Sequence, residues 1–265
     1  MDLTGLTAIE CRIADGLARL TLNAPERGNP IDATFCRELR ELSIELGDRE
    51  DVRAVLICAR GRFFSVGGDI KSFVRERAAL PGIVKSWTAD LHSAIARFMR
   101  MRAPVVAAVQ GNVAGGSVSL VAAADIVYAA AGVSFTAAFP MIGFSADSGS
   151  TITLSQRMGF SRAKRFLLMS ETLAASDALG AGLVDFVTAP QDLMAEAERT
   201  AQRFASGPTR AYEGIKQTML RARTQGLESQ LEDEAQTLAA VSRSDDSWEG
   251  LSAFLAKRPP KFSGT

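Results

Sequence analysis

The sequence predicts an α/β protein, with a strand–helix–strand core followed by a helical C-terminal part. Three observations carry this. Apolar strand-like runs alternate with helix-period stretches from Ala8 to Tyr128. Two of those runs feed glycine-containing turns, Gly61-Arg62-Phe63-Phe64-Ser65-Val66-Gly67-Gly68-Asp69-Ile70 and Gly111-Asn112-Val113-Ala114-Gly115-Gly116. From Ser161 onward, helical patterns dominate.

The chain opens as a hairpin: Ala8 to Ile13 alternates, Asp15-Gly16 supplies the turn, and Ala18 to Leu22 alternates again. Pro25 and Gly28 end that strand, and Asp32 is placed to cap a helix carrying Phe35, Leu39, Leu42 and Leu46 at helical spacing. Val52 to Cys58 reads as a strand leading into the first glycine turn. Ile83 to Met101 reads as a helix, and Pro104 to Val109 as the strand before the second turn. A small-residue helix follows from Gly116 to about Ala123, then a short strand from Asp125 to Tyr128 and a helical run from Thr151 to Arg157. Helices are expected at Ser161–Leu168, Ser176–Ala181, Asp192–Phe204, Thr209–Arg223 and Leu227–Ser242, with one strand at Leu183–Val187. There is no short-period repeat and no low-complexity linker.

With 265 residues the chain has ample material for a buried core. Its 47% hydrophobic and 23% charged residues are those of an ordinary soluble protein. Thirty basic and thirty acidic residues cancel, so no global attraction to nucleic acid or an anionic membrane is expected. The apolar run around Pro104–Val127 is interrupted by glycines, Ser117, Ser119 and Asp125, which argues against a membrane span. No secretory leader pattern is read at the N-terminus. Cys11, Cys36 and Cys58 are scattered and suit a reduced, cytoplasmic setting, while one histidine, His92, leaves little from which to build a zinc site.

A turn that exposes main-chain N–H groups holds a negatively charged oxygen, and two such turns converging make an oxyanion site. The alternative is that the glycines only permit tight turns. Gly111–Gly116 does not match a dinucleotide-binding glycine fingerprint, and no Gly-Lys-Ser/Thr follows it, which disfavours nucleotide chemistry. Ser148 and Ser150 lie near Asp147, but no Gly-x-Ser-x-Gly elbow is present.

In order along the chain, Leu22-Asn23-Ala24-Pro25 through Asn29, Gly61-x-x-Phe64-x-x-Gly67-Gly68-Asp69-Ile70, Pro104 through Gly111, Ala114-Gly115-Gly116, Phe135 through Gly149 and Ala253 through Arg258 resemble the crotonase (enoyl-CoA hydratase/isomerase) superfamily. The resemblance spans essentially the whole chain. It implies a ββα spiral core over residues 1–200 and a helical region over 201–265 that serves trimerisation or covers the site. It also implies a homotrimer or hexamer, a coenzyme A thioester as substrate, and no separate cofactor. Carried over by position, the oxyanion donors are the N–H groups of Gly68 and Gly116. The loop Ala24–Asn29 and the turn Val66, Gly67, Gly68, Asp69 and Ile70 receive the coenzyme A, with Gly115 alongside. Arg27 is a phosphate contact in this reading or else a solvated arginine. Lys257, with Arg258, approaches the nucleotide of a neighbouring subunit or else forms a solvated tail.

Two positions depart from the hydratase pattern. Its water-handling glutamates fall where this chain has Ser119 and Phe139, and neither moves a proton as a carboxylate does. Asp147, in Gly143-Phe144-Ser145-Ala146-Asp147-Ser148-Gly149, instead resembles the aspartate of the isomerase branch, including ring-1,2-epoxyphenylacetyl-CoA isomerases. A single carboxylate both removes and returns the proton there. The alternative is that Asp147 caps the following helix. Phe139, Met141 and Phe144 are expected to desolvate the carboxylate, and Phe139, Phe144, Val66 and Ser119 to shape an acyl pocket. His92 is read as a packing or pocket-lining residue. A histidine at this place in 4-chlorobenzoyl-CoA dehalogenase relatives activates water, so a covalent route with Asp147 as nucleophile and His92 as base stays open. A silent acyl-CoA-binding homologue is the third reading.

Overall fold

The computed structural model describes residues 5–75 and 77–265. Alternating apolar residues in Ile9–Ala14 (β1) and Leu17–Leu22 (β2) pair antiparallel across Asp15-Gly16, both with positive φ, as a two-residue hairpin turn requires. Ala33–Asp48 (α1) starts where Asp32 Oδ1 accepts from Phe35 N at 2.9 Å, the cap read from sequence. Its buried face carries Phe35, Leu39, Leu42 and Leu46. Buried Glu38 turns inward and accepts from the main-chain N–H groups of Thr7, Ala8 and Ile9, which ties α1 to the start of β1.

The centre is built from three successive strand–strand–helix turns. Ala54–Ala59 (β3) continues into Phe63–Ser65 (β4) and then the helices Ile70–Phe73 (α2) and Leu80–Arg100 (α3). Val105–Val109 (β5) continues into Asn112–Ala114 (β6) and Gly116–Ala122 (α4). Ile126–Ala130 (β7) continues into Ser134–Thr136 (β8) and Ser150–Met158 (α5). First strands pair with first strands and second strands with second. With Thr172–Ala174 (β9) and Phe186–Thr188 (β10), this gives a six-stranded sheet ordered β1-β2-β3-β5-β7-β10 and a four-stranded sheet ordered β4-β6-β8-β9. All pairings are parallel except β1–β2 and β8–β9. β5 is buried along its whole length, and β3 nearly so, as strands covered on both faces must be.

The remaining α-helices are Phe160–Leu168 (α6), Ala175–Gly180 (α7), Leu193–Ala205 (α8), Thr209–Arg221 (α9), Leu227–Val241 (α10) and Asp245–Leu255 (α11). The amphipathic α8 buries Leu193, Ala197, Ala201 and Ala205 and packs against β3, β5 and β7. Lys216 of α9 reaches Asp125 at 2.7 Å and the carbonyls of Phe98 and Ala103, fixing the C-terminal helices to the core. Among the described residues, no helix is long and apolar enough to cross a membrane.

Two sequence expectations change, and one element goes unread in the sequence. The glycine turns are not simple turns: each contains a three-residue strand, and the second sheet they build is invisible to period-2 patterning at that length. The strand expected at Leu183–Val187 starts later, at Phe186. Leu183 and Val184 are instead folded against the end of α7, with Leu183 N bonded to Ala178 O. The tail contains α11, capped by Ser244 Oγ accepting from Ser247 N. Beyond it, Ser263 and Gly264 donate their N–H groups to the Asp246 carboxylate.

Candidate active site

Because β4 and β6 run parallel as neighbours, their following segments leave the same sheet edge side by side. This brings Gly67-Gly68 against Gly115-Gly116. Gly67 has φ 84°, and a Cβ there would lie 2.8 Å from the Ala114 carbonyl oxygen, so only glycine lets the turns approach this closely. Buried Ser65 pins the pair: its Oγ donates to the Asn29 carbonyl at 2.6 Å and therefore takes its 2.6 Å bond from Ser117 Oγ of α4. Asn29, itself buried with φ 52°, accepts from Ala24 N and donates to the carbonyls of Arg60, Phe63 and Phe64.

Ile31 runs beside the first turn, with Ile31 N bonded to Gly67 O and Asp69 N bonded to Ile31 O. Gly68, between them, has a main-chain N–H with no partner among the described residues. The same holds for the N–H of Gly116, the first residue of α4. Two unpaired donors on adjacent turns can both bind one oxygen that gains negative charge.

Asp147 lies against the second of these glycines. A Cβ on Gly116 would be 3.3 Å from Asp147 Oδ1 and nearer to Ser148 Oγ than the 3.0 Å that real Cβ atoms essentially never breach. Ser148 and Gly149 both have positive φ, 55° and 73°, so the chain enters α5 through a left-handed pair. Asp147 is thus no helix cap: Gly149 occupies the cap position, and it is the Asp147 carbonyl that accepts from Ser150 N at 2.9 Å. Ser148 Oγ donates to Asp147 Oδ1 at 2.9 Å, and no other side chain of the described residues bonds the carboxylate. Burial pushes the Asp147 carboxyl above the usual aspartate range, against the opposing pull of the Ser148 hydrogen bond.

Both glycines and Asp147 face a cavity of about 150 Å³. Its wall is apolar: Ile31, Val66, Ile70, Phe73, Val84, Trp87, Leu91, Phe139 and Phe144. Asp147 is the one ionisable side chain among the described lining residues. Phe73 bridges Trp87 and Phe144, with ring centroids 5.1 and 5.7 Å away.

Of the residues named from the sequence, Val66, Gly67, Gly68, Ile70, Gly115, Gly116, Phe139, Phe144 and Asp147 all line this cavity. Others lie elsewhere. Ser119 has no exposed area; it bonds Ser150 Oγ at 2.6 Å behind the wall, and Ser150 in turn donates to the Asp147 carbonyl. Met141 points to solvent and does not desolvate the carboxylate. Asp69 is spent capping α2, accepting from Lys71 N and Ser72 Oγ. Ala24 sits in the Asn29 loop with its N–H and carbonyl both bonded there. Arg27 is paired with Asp32 at 2.9 Å. Lys257 is exposed just past the end of α11 and does not line this chain's cavity, and Arg258 donates two hydrogen bonds to the Glu249 carboxylate. His92 is exposed rather than packed, and its Nε2 accepts from Ser148 N at 3.0 Å. Phe73, Val84, Trp87 and Leu91 also line the cavity and carry no signal in the sequence, because an apolar helix face does not say whether it meets a core or a cavity.

A three-turn ββα spiral with two largely parallel sheets and a glycine-lined apolar cavity holding one carboxylate defines a crotonase-fold protein. The family model described as "Enoyl-CoA hydratase/isomerase" matches residues 12–265. A probable enoyl-CoA hydratase of Rhodobacter capsulatus is 33% identical over 97% of this chain and 98% of its own. A 1,2-epoxyphenylacetyl-CoA isomerase of Escherichia coli is 32% identical over 95% and 97%. The crystal structure of a putative enoyl-CoA hydratase/isomerase from Mycobacterium abscessus superposes with a TM-score of 0.91 at 31% identity, covering 97% of this chain and all of that one. The chain belongs to the enoyl-CoA hydratase/isomerase family.

Proposed function

We propose that the protein isomerises an acyl-CoA thioester, shifting a double bond or opening an epoxide, with Asp147 as the proton carrier. The Gly68 and Gly116 N–H groups bind the thioester oxygen. The Asp147 carboxylate oxygen not held by Ser148 takes a proton from the carbon next to the thioester carbonyl. The electron pair moves into a dienolate whose oxygen charge the two donors stabilise, worth on the order of 3 kcal/mol per donor. Asp147 then returns its proton at the far end of the conjugated system, so the double bond moves and no atom is gained or lost. The observation that carries this reading is Gly116, which lines the cavity with a main-chain N–H that has no partner among the described residues, and whose missing Cβ leaves the room that Asp147 and Ser148 occupy.

Hydration is disfavoured because it calls for a second proton-handling group. The two positions that supply it in the hydratase pattern are a serine walled off behind the cavity and a phenylalanine forming its wall. A covalent route needs His92 free to activate water, whereas its Nε2 is engaged by the Ser148 N–H. Purified protein supplied with 3-enoyl-CoA should form the conjugated 2-enoyl isomer and hydrate crotonyl-CoA poorly. Rapid hydration with no migration would refute the assignment.

The exposed apolar residues of the C-terminal helices, among them Met219, Leu231, Leu238, Trp248, Leu251 and Phe254, support self-association as a trimer or hexamer. In such an assembly Lys257 would meet a neighbour's coenzyme A. Light scattering giving three or six times the 28.2 kDa chain mass would agree with this, and a monomer would not.

A further inference from the structure

Asp147 sits on a loop gripped from two sides. On one, Ser119 of α4 bonds Ser150 Oγ, which donates to the Asp147 carbonyl. On the other, His92 of α3 accepts from the Ser148 N–H at 3.0 Å. Ser148 is a buried non-glycine residue at φ 55°, a conformation that costs free energy and persists only where its surroundings hold it. Its N–H, directed out of that turn, is met by the imidazole alone among the described residues.

We propose that His92 is a positioning residue: as a neutral imidazole it fixes the left-handed Ser148–Gly149 turn, and through Ser148 Oγ it aims the Asp147 carboxylate at Gly116. To accept at Nε2 the ring must carry its proton on Nδ1. The role needs an acceptor and no proton transfer, which separates it from acid–base or water-activating chemistry. The kinetic part of this inference rests on Asp147 being the proton carrier; the structural part does not.

The test compares wild type with His92→Leu, which removes the acceptor, and His92→Gln, whose amide oxygen can take the place of Nε2. The side chain is exposed, so neither change opens the core. Amide exchange of Ser148, followed by NMR, should be about tenfold or more faster in His92→Leu and return toward wild type in His92→Gln. In double-bond migration of 3-enoyl-CoA, kcat should fall up to about 100-fold in His92→Leu with KM little changed, and recover in His92→Gln. Unchanged Ser148 exchange in His92→Leu would overturn the proposal. So would equal loss of kcat in both variants, which would make His92 a proton carrier. If wild type shows no migration, the isomerase reading fails while the exchange comparison still decides the positioning.

Discussion

Replacing Gly116 with alanine is the most informative single change. Gly116 has an ordinary helical conformation, so alanine there is locally favoured by about 1 kcal/mol. The cost comes from what the new methyl meets: Ser148 Oγ inside contact distance, and Asp147 Oδ1 and Ile31 Cδ1 at 3.3 Å. Ser148 is buried, so its hydroxyl has nowhere to rotate without giving up the bond to Asp147. Overpacking of this kind costs about 1–3 kcal/mol, which the helical gain partly offsets, so the fold survives. The carboxylate and the donor it works with are driven apart, and a misplacement of this size costs about 100-fold in rate. We expect kcat for 3-enoyl-CoA migration, followed through the absorbance of the conjugated product, to drop by that factor with little change in thermal midpoint. Gly82→Ala serves as the control, because a Cβ there meets nothing within 4 Å, and it should leave kcat alone. Wild-type kcat in Gly116→Ala would refute the reasoning.

Three more expectations follow from the same geometry. Asp147 must be ionised to act as a base and its proton affinity is raised by burial, so the acid limb of kcat/KM should lie above the ~3.9 of a free aspartate. The folded chain also binds that proton more tightly than the unfolded chain. Its stability contribution is therefore present below the unfolded pKa and lost as pH rises through the folded one. Asp147→Asn should accordingly raise the neutral-pH thermal midpoint, each tenfold difference in proton affinity being worth about 1.4 kcal/mol. Asn29→Ala strands the Ala24 N–H and puts a non-glycine residue without side-chain bonds at φ 52°; urea unfolding should show a loss of about 2–4 kcal/mol at unchanged slope.

Much of the site was legible because it is local in sequence. Gly68 and Gly116 each follow an apolar run, and the resemblance supplied their pairing. What the sequence did not carry was distance. Three-residue strands such as β4 and β6 leave no periodic trace, yet their parallel pairing is what brings the two glycines together. Asp-Ser-Gly-Ser reads equally as a helix cap, and only the fold separates the two readings, by putting Gly149 at the cap position and the Asp147 carboxylate on Ser148 at the cavity. Ser119 falls at a glutamate position of the hydratase pattern, which suggests a pocket residue; in the fold its partner is Ser150, 31 positions away. Phe73 and Trp87 reach the cavity from α2 and α3, where helical patterning reports an apolar face without saying what it faces.

The central claim is that one carboxylate moves the proton while the main chain holds the oxyanion. It is tested most directly by incubating wild type and Asp147→Asn with 3-enoyl-CoA in deuterated water and following product and deuterium by mass spectrometry. Migration is expected with wild type, and neither migration nor deuterium uptake in the variant even though it binds the thioester. Migration or exchange at the wild-type rate in Asp147→Asn would contradict it.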